Sequence, residues 1–348
     1  MNPLTLLFLA FSLFMGTLTT LSSEHWMLAW LGLEINTLAI IPLMIKTHHP
    51  RAIEAAIKYF LVQTSTSATL LFSCTMIAWV TGQWTIVPHT DLTAVDLLTI
   101  SLAMKLGIAP FHFWLPDVLQ GITLPTGLVL STWQKIPPVV LLFQIAPNTN
   151  LNLLLTMALL STIIGGWGGI NQTQVRKLMA YSSIAHLGWT VAVVKLAPEL
   201  AFFNFVIYLI ITTAMFWTLH ILDVKTIPDI LLAWSKSPGL TILLLLMLLS
   251  LAGLPPLTGF LPKLVITQKL ISSHLTPLAT AMLLTTLLSL FFYLRLMYVL
   301  AITVAPHPLF SSAPWKNSYR PRPTKTLAVL ITLSLFLAPA YPMISVFF

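Results

Sequence analysis

The sequence runs to 348 residues, of which 57% are hydrophobic and only 7% charged, with a mean hydropathy of +0.92. A soluble domain carries about 25% charged residues, so this composition excludes an ordinary soluble fold and predicts an all-α membrane protein with many crossings. The formal net charge of +8 comes from basic residues scattered between apolar stretches, without aromatic interleaving on a polar face, so no nucleic-acid partner is expected.

A crossing helix needs about 20 predominantly apolar residues. In chain order such stretches lie at 3–22, 25–45, 56–82, 93–119, 124–146, 150–171, 174–196, 199–223, 239–271, 275–304 and 324–347, which predicts about 11 transmembrane helices. The first opens at Pro3 with no basic segment before it and no small-residue cleavage site, so it reads as a retained helix and not a signal peptide. Glu54 and Lys58 stand four residues apart at the head of the third stretch and predict a surface helix pair. Gly165, Gly166, Gly168 and Gly169 in the sixth offer a small-residue face for close helix packing. Connections at 46–55, 224–238 and 305–323 are polar and read as exposed loops. Trp26, Trp30, Trp84 and Trp315 fall near stretch ends and fit an aromatic belt.

Short loops after the even-numbered stretches carry Lys46, Arg51, Arg176, Lys177, Lys225, Lys236, Lys316, Arg320, Arg322 and Lys325, against Lys195 and Lys269 after the odd-numbered ones. That bias puts the N-terminus on the negative, cytoplasm-like or matrix-like side and the C-terminus opposite. Cys74 is the only cysteine and lies in an apolar run, which excludes a disulfide framework and a cysteine-rich metal or iron–sulfur site. His48 and His49 have no neighbouring acids or cysteines, so no metal site is expected there.

Two stretches interrupt the helical pattern in the same way. GLPPLTGFLPK at 253–263 is echoed by GIAPFHFWLPD at 107–117, with Gly253 and Gly107, Pro256 and Pro110, Leu261 and Leu115, and Pro262 and Pro116 at equal spacings. Glycine and proline at membrane depth predict two discontinuous helices, each the fourth member of a five-helix unit. A unit with an odd number of crossings inserted twice must reverse its orientation, the condition for inverted repeats. The expected division is 1–146 for the first repeat, 147–304 for the second, and 305–348 for a loop and a peripheral C-terminal helix.

An ionisable side chain near a bilayer centre costs from about 2.5 to over 10 kcal/mol, so it requires a partner, water or a function. Glu34, Lys105, Lys135, His186 and Lys263 all fall at such depth. A single lysine is explained by snorkelling of its long stem to the interface. Three lysines with a glutamate counter-charge and a neutral-range imidazole instead suggest a proton relay, with water in the unwound segments as part of the path. His112 lies within the first break, where it either extends that relay or satisfies freed backbone groups. Arg295, at the end of the tenth stretch, reads as a snorkelling side chain. No dinucleotide fingerprint or phosphate-binding loop is present.

The two broken-helix motifs, Glu34 in WLGLEINTLAIIP, Lys105 in SLAMKLGIAPFHFWLPD and Lys135 in STWQKIPPVV resemble the antiporter-like membrane subunits of respiratory complex I. The opening MNPLTLLFLAFSLF and the run RKLMAYSSIAHLGW narrow the likeness to mitochondrial members, and it covers essentially the whole chain. The resemblance implies a subunit that pumps protons while NADH, FMN, iron–sulfur clusters and ubiquinone are handled by other subunits, with no cofactor in this chain. It implies that Glu34 pairs with Lys105, that Lys135 connects two half-channels, and that Lys263 is the terminal lysine; His186 matches the central axis more loosely. Expected partners are the other membrane subunits of complex I, lipids such as cardiolipin, and protons with internal water, in the mitochondrial inner membrane with the N-terminus in the matrix and the C-terminus facing the intermembrane space. A free-standing monovalent cation/proton antiporter is the alternative. The chain starts directly at the first repeat, without the three extra N-terminal helices of longer bacterial relatives.

Overall fold

A computed structural model describes residues 2–86, 92–302 and 324–337. The basic loop at 305–323, with Trp315, Lys316, Arg320 and Arg322, and residues 338–347 of the last predicted crossing lie outside the described residues. Among the described residues the regular structure is helical, apart from isolated bridges between His25 and Thr85 and between Gln174 and Thr226.

The helices are α1 (Pro3–Ser22), α2 (Trp26–Met44), α3 (Pro50–Thr81), α4 (Leu92–Leu106), α5 (Trp114–Gly121), α6 (Leu124–Ser131), α7 (Ile136–Ile145) and α8 (Leu151–Gly169). They continue with α9 (Val175–Val193), α10 (Pro198–Leu222), α11 (Ile227–Leu231), α12 (Ala233–Lys236), α13 (Pro238–Ala252), α14 (Phe260–Ser272), α15 (Thr276–Ile302) and α16 (Thr324–Phe336). Seven segments among the described residues are long and apolar enough to cross a membrane: Pro3–Ser22, Trp26–Thr47, Pro50–Thr81, Leu124–Asn148, Leu151–Gly169, Pro198–Leu222 and Thr276–Ala301. α9 is long enough but too polar to join them, because it carries Arg176, Lys177, Ser182, Ser183 and His186. Its side chains from Leu178 onward are almost all buried. A helix enclosed by protein on all sides is free to be polar where a lipid-facing one is not.

Local chemistry moves three boundaries from their sequence positions. The loop expected at 46–55 ends early, because Pro50 enters the first turn of α3 and the His49 ring accepts the Arg51 N–H at 3.2 Å. Proline is pre-shaped for a first turn and lacks only a donor that would be orphaned there. The loop expected at 224–238 contains α11 and α12. α11 is started by a capping box in which Asp229 Oδ2 accepts the Thr226 N–H at 2.8 Å, a signal already present in the run TIPD. The stretch expected to be continuous over 124–146 stops at Ser131 and resumes at Ile136 after a 3-10 turn, Trp133–Lys135. Pro137 and Pro138 have no N–H to offer the preceding turn and their rings crowd its carbonyls, so this is a third break.

The chain divides into two units, Met1–Ser161 with Val194–Pro198, and Thr162–Val193 with Glu199–Phe348. In the first, α2 packs on α1 and α3, and α4 packs on α3 and α7. Trp26 N–H donates to the Trp84 carbonyl at 2.9 Å and Ile86 N–H to that of Glu24 at 2.9 Å, tying the α1–α2 corner to the segment after α3. Trp26 is buried there, and the Trp30 indole donates to the Ser67 carbonyl at 3.2 Å. Helix packing, not an interfacial belt, therefore fixes these two rings. In the second unit α13 packs on α15 and α16, and α14 on α9 and α15. A Cβ on Gly165 would lie 2.7 Å from the Ala185 backbone nitrogen, so the small-residue face admits α9 at a distance that a larger side chain forbids.

Candidate functional site

Both paired motifs end their first half-helix on a glycine. α4 stops at Leu106 and Gly107 turns left-handed, with φ of 72°, while Ile108 N–H reaches back to the Ala103 carbonyl at 3.0 Å. α13 stops at Ala252 and Gly253 does the same, with φ of 84°, while Leu254 N–H reaches the Leu249 carbonyl at 3.3 Å. This six-to-one bond behind a left-handed residue is the Schellman stop. Glycine thus ends each helix, and Pro110 and Pro256 lie in the unwound segments that follow, 107–113 and 253–259.

The lysines use these ends differently. Lys105 belongs to the last turn of α4, where exposed carbonyls favour a cation. Its Nζ is buried without a hydrogen-bond partner among the described residues, and the Met104 carbonyl is taken by the Trp114 indole at 3.1 Å. Lys263 sits in the first turn of α14, the end that disfavours a cation, but its side chain reaches back to donate to the Ala252 carbonyl of α13 at 3.1 Å. A hydrogen bond to a charged group contributes about 1.5–3 kcal/mol, and a helix end about 0.3–2 kcal/mol. Their sum covers only the lower part of the cost of burying a charge at membrane depth. His186, Thr162, Ser289 and Tyr293 line the cavity at Lys263.

Within the first unit Lys105 and Lys135 line one small cavity with Asn36, Thr37, Tyr59, Gln63 and Gln134. Both lysines are buried. Lys135 ends the 3-10 turn before α7, so the third break aims it into this space. Glu34, on α2, is half-buried and does not use Lys105 as a hydrogen-bond partner: Oε1 accepts from Ser67 Oγ at 2.7 Å and Oε2 from Thr37 Oγ1 at 2.7 Å. Within the second unit His186 and Lys263 line a second small cavity.

Other sequence candidates take structural places. His112 is buried with Nδ1 3.2 Å from the Pro110 carbonyl, so its ring N–H satisfies a backbone group freed by the break. Glu54 and Asp117 both bind Lys58, at 2.7 and 3.3 Å, in an exposed cluster. The Arg295 guanidinium donates to the Ile170 carbonyl at 2.8 Å and so closes the end of α8. Sequence reasoning passed over Ser67, Thr37, Gln63 and Gln134. Single hydroxyls and amides in long helices carry no signal until the fold shows which charges they face. It also passed over Asp96 in α4, whose Oδ1 is buried without a hydrogen-bond partner among the described residues; an acid in an apolar run was the available signal.

Comparison with known proteins agrees with this architecture. Residues 23–289 match the family described as NADH:quinone oxidoreductase/Mrp antiporter, TM, and residues 290–345 match NADH dehydrogenase subunit 2 C-terminus. The chain is 54% identical to the protein named NADH-ubiquinone oxidoreductase chain 2 of Aquarana catesbeiana, covering 98% of each chain. It is 52% identical to the protein of the same name from Xenopus laevis, covering 99% of each. A chain in the structure of respiratory complex I from Thermus thermophilus with bound aureothin superposes with a TM-score of 0.80 at 27% identity, over 94% of this chain and 77% of that one.

Proposed function

Because the chain belongs to the NADH:quinone oxidoreductase/Mrp antiporter family, with the subunit 2 C-terminus, we propose that its buried lysines carry the protons that the complex translocates. It is an antiporter-like membrane subunit of the proton-translocating NADH:ubiquinone reductase. One observation carries the relay: each unit contains a helix break beside a cavity lined by buried lysine, Lys105 with Lys135 in one and Lys263 with His186 in the other. In this reading energy released at a distant redox site changes the pairing of Glu34 with Lys105. The proton affinity of that lysine changes with it, and the change passes in turn to Lys135 and Lys263. NADH, FMN, iron–sulfur clusters and ubiquinone belong to other subunits.

The half-helices support a further reading, of 11 crossings in two inverted five-helix repeats, 1–146 and 147–304, followed by a peripheral helix. α4, α5, α13 and α14 have 15, 8, 15 and 13 residues, each short of the roughly 20 that a crossing needs. They complete one only in pairs. The setting is the mitochondrial inner membrane, with the N-terminus in the matrix, the C-terminus facing the intermembrane space, and neighbouring membrane subunits and lipids such as cardiolipin around the apolar surface.

Lys263→Met in the assembled complex tests the relay. Protons moved per electron pair should fall while the redox subunits remain able to oxidise NADH. A wild-type ratio would remove Lys263 from the path.

A further inference from the structure

The Glu34 carboxylate is held by two hydroxyls that each have another use. Ser67 Oγ lies 2.7 Å from Oε1 and also 2.9 Å from the Thr64 carbonyl of its own helix. Thr37 Oγ1 lies 2.7 Å from Oε2 and 2.9 Å from the Glu34 carbonyl. A hydroxyl has one proton and donates along one of these directions at a time. When the carboxylate is present each donates to it in a charge-assisted bond. When it leaves, each turns to the backbone carbonyl three residues earlier, a bond such residues commonly make within helices. Neither donor is stranded in the protein, so the desolvation cost of an unmade hydrogen bond is avoided in both states.

The other side of the exchange is Lys105. Glu34 and Lys105 are near enough to interact electrostatically, yet Lys105 Nζ has no hydrogen-bond partner among the described residues. It faces the cavity that also receives Lys135. The structure holds the carboxylate on the two hydroxyls, without a hydrogen bond to the lysine.

We propose that Ser67 and Thr37 form a dock for the Glu34 carboxylate, a second seat that lets it part from Lys105, which makes both hydroxyl residues positioning residues for proton transfer at Lys105. This rests on the relay proposed above. The dock acts through Glu34 alone. Its effect must therefore vanish when Glu34 can no longer carry charge.

The test compares assembled complexes carrying Ser67→Ala, Thr37→Val, both together, and each of these with Glu34→Gln. Assembly is checked by native gel, and protons per electron pair are measured at matched content. Redox-induced infrared difference spectra on glutamate labelled with carbon-13 report the carboxylate, with the Glu34→Gln complex identifying its band. Losing one hydroxyl should shift the ratio of docked to released carboxylate about tenfold, the scale of one hydrogen bond to a charged group. The band should move and the proton ratio should drop. Ser67→Thr and Thr37→Ser keep the hydroxyl and should preserve both readouts. In the Glu34→Gln background the hydroxyl substitutions should add no further loss. If the Ser67→Ala complex does not assemble, Thr37→Val decides by the same readouts. An unmoved band and a normal ratio without the hydroxyls, alongside impaired pumping in Glu34→Gln, would overturn the dock and leave the relay standing. Normal pumping in Glu34→Gln itself would overturn both.

Discussion

Lys263 and Gly253 depend on each other in a way that neither residue reveals alone. Gly253 is left-handed, and a Cβ there would lie 2.9 Å from Lys263 Nζ. Gly253→Ala therefore meets two penalties: about 1–2 kcal/mol for a non-glycine residue in that conformation, and displacement of the ammonium from the Ala252 carbonyl. Gly82, with φ of 71° and open space for 4 Å around the point a Cβ would occupy, meets only the first. In thermal melts of the assembled complex both alanine variants should lose stability, and Gly253→Ala should lose more. It alone should also lower the proton ratio. Equal losses with normal pumping would mean that the contact with Lys263 is unimportant. The lysines themselves were legible in the sequence, because a charge in an apolar run has few bland explanations. Their surroundings were not: Ser67 and Gln63 acquire meaning only when α3 is laid against α2 and α4.

At the scale of the element, the glycine–proline breaks at 107–113 and 253–259 are written in local chemistry, since a left-handed glycine stops a helix wherever the helix lies. The break at Lys135 was equally local, in the paired Pro137 and Pro138, but the apolar flanks read as one continuous stretch. Its consequence is geometric. A 3-10 turn rises about 2.0 Å per residue with three residues per turn, against about 1.5 Å and 3.6 for an α-helix. Converting Trp133–Lys135 to α-helix would move Lys135 by about 1.5 Å along the axis and about 60° around it. Replacing Pro137 and Pro138 together by alanine restores the missing donors and permits that conversion. The expected result is an assembled complex with a lowered proton ratio, a loss comparable to that of Lys135→Met. An unchanged ratio would show that the path tolerates the lysine in either position.

The whole molecule exposes much of its apolar surface. α1 leaves Leu4, Leu7, Phe8 and Phe11 each at least 60% exposed, and the apolar stretch of Pro3–Ser22 is 22% buried against 61% for that of Pro198–Leu222. Such a helix is stable only against lipid tails or neighbouring subunits. Reconstituted alone into vesicles, the chain should show no proton flux that depends on sodium or potassium. Such flux would favour a free-standing antiporter over a subunit that works only inside its complex. Composition alone made the membrane class legible at this scale. It could not show that α9 is sheathed by protein, because a polar helix inside a bundle and a polar helix outside a membrane have the same residues.

The Thr258 hydroxyl, in the unwound segment between α13 and α14, donates to the Ser334 carbonyl of α16. The two residues are 76 apart in sequence. A ribosome therefore completes the second broken helix well before it makes the group that fastens the loop. Until α16 arrives, that loop has the shape its own glycine and helices give it but lacks this latch, so its fastening follows the synthesis of its own helices.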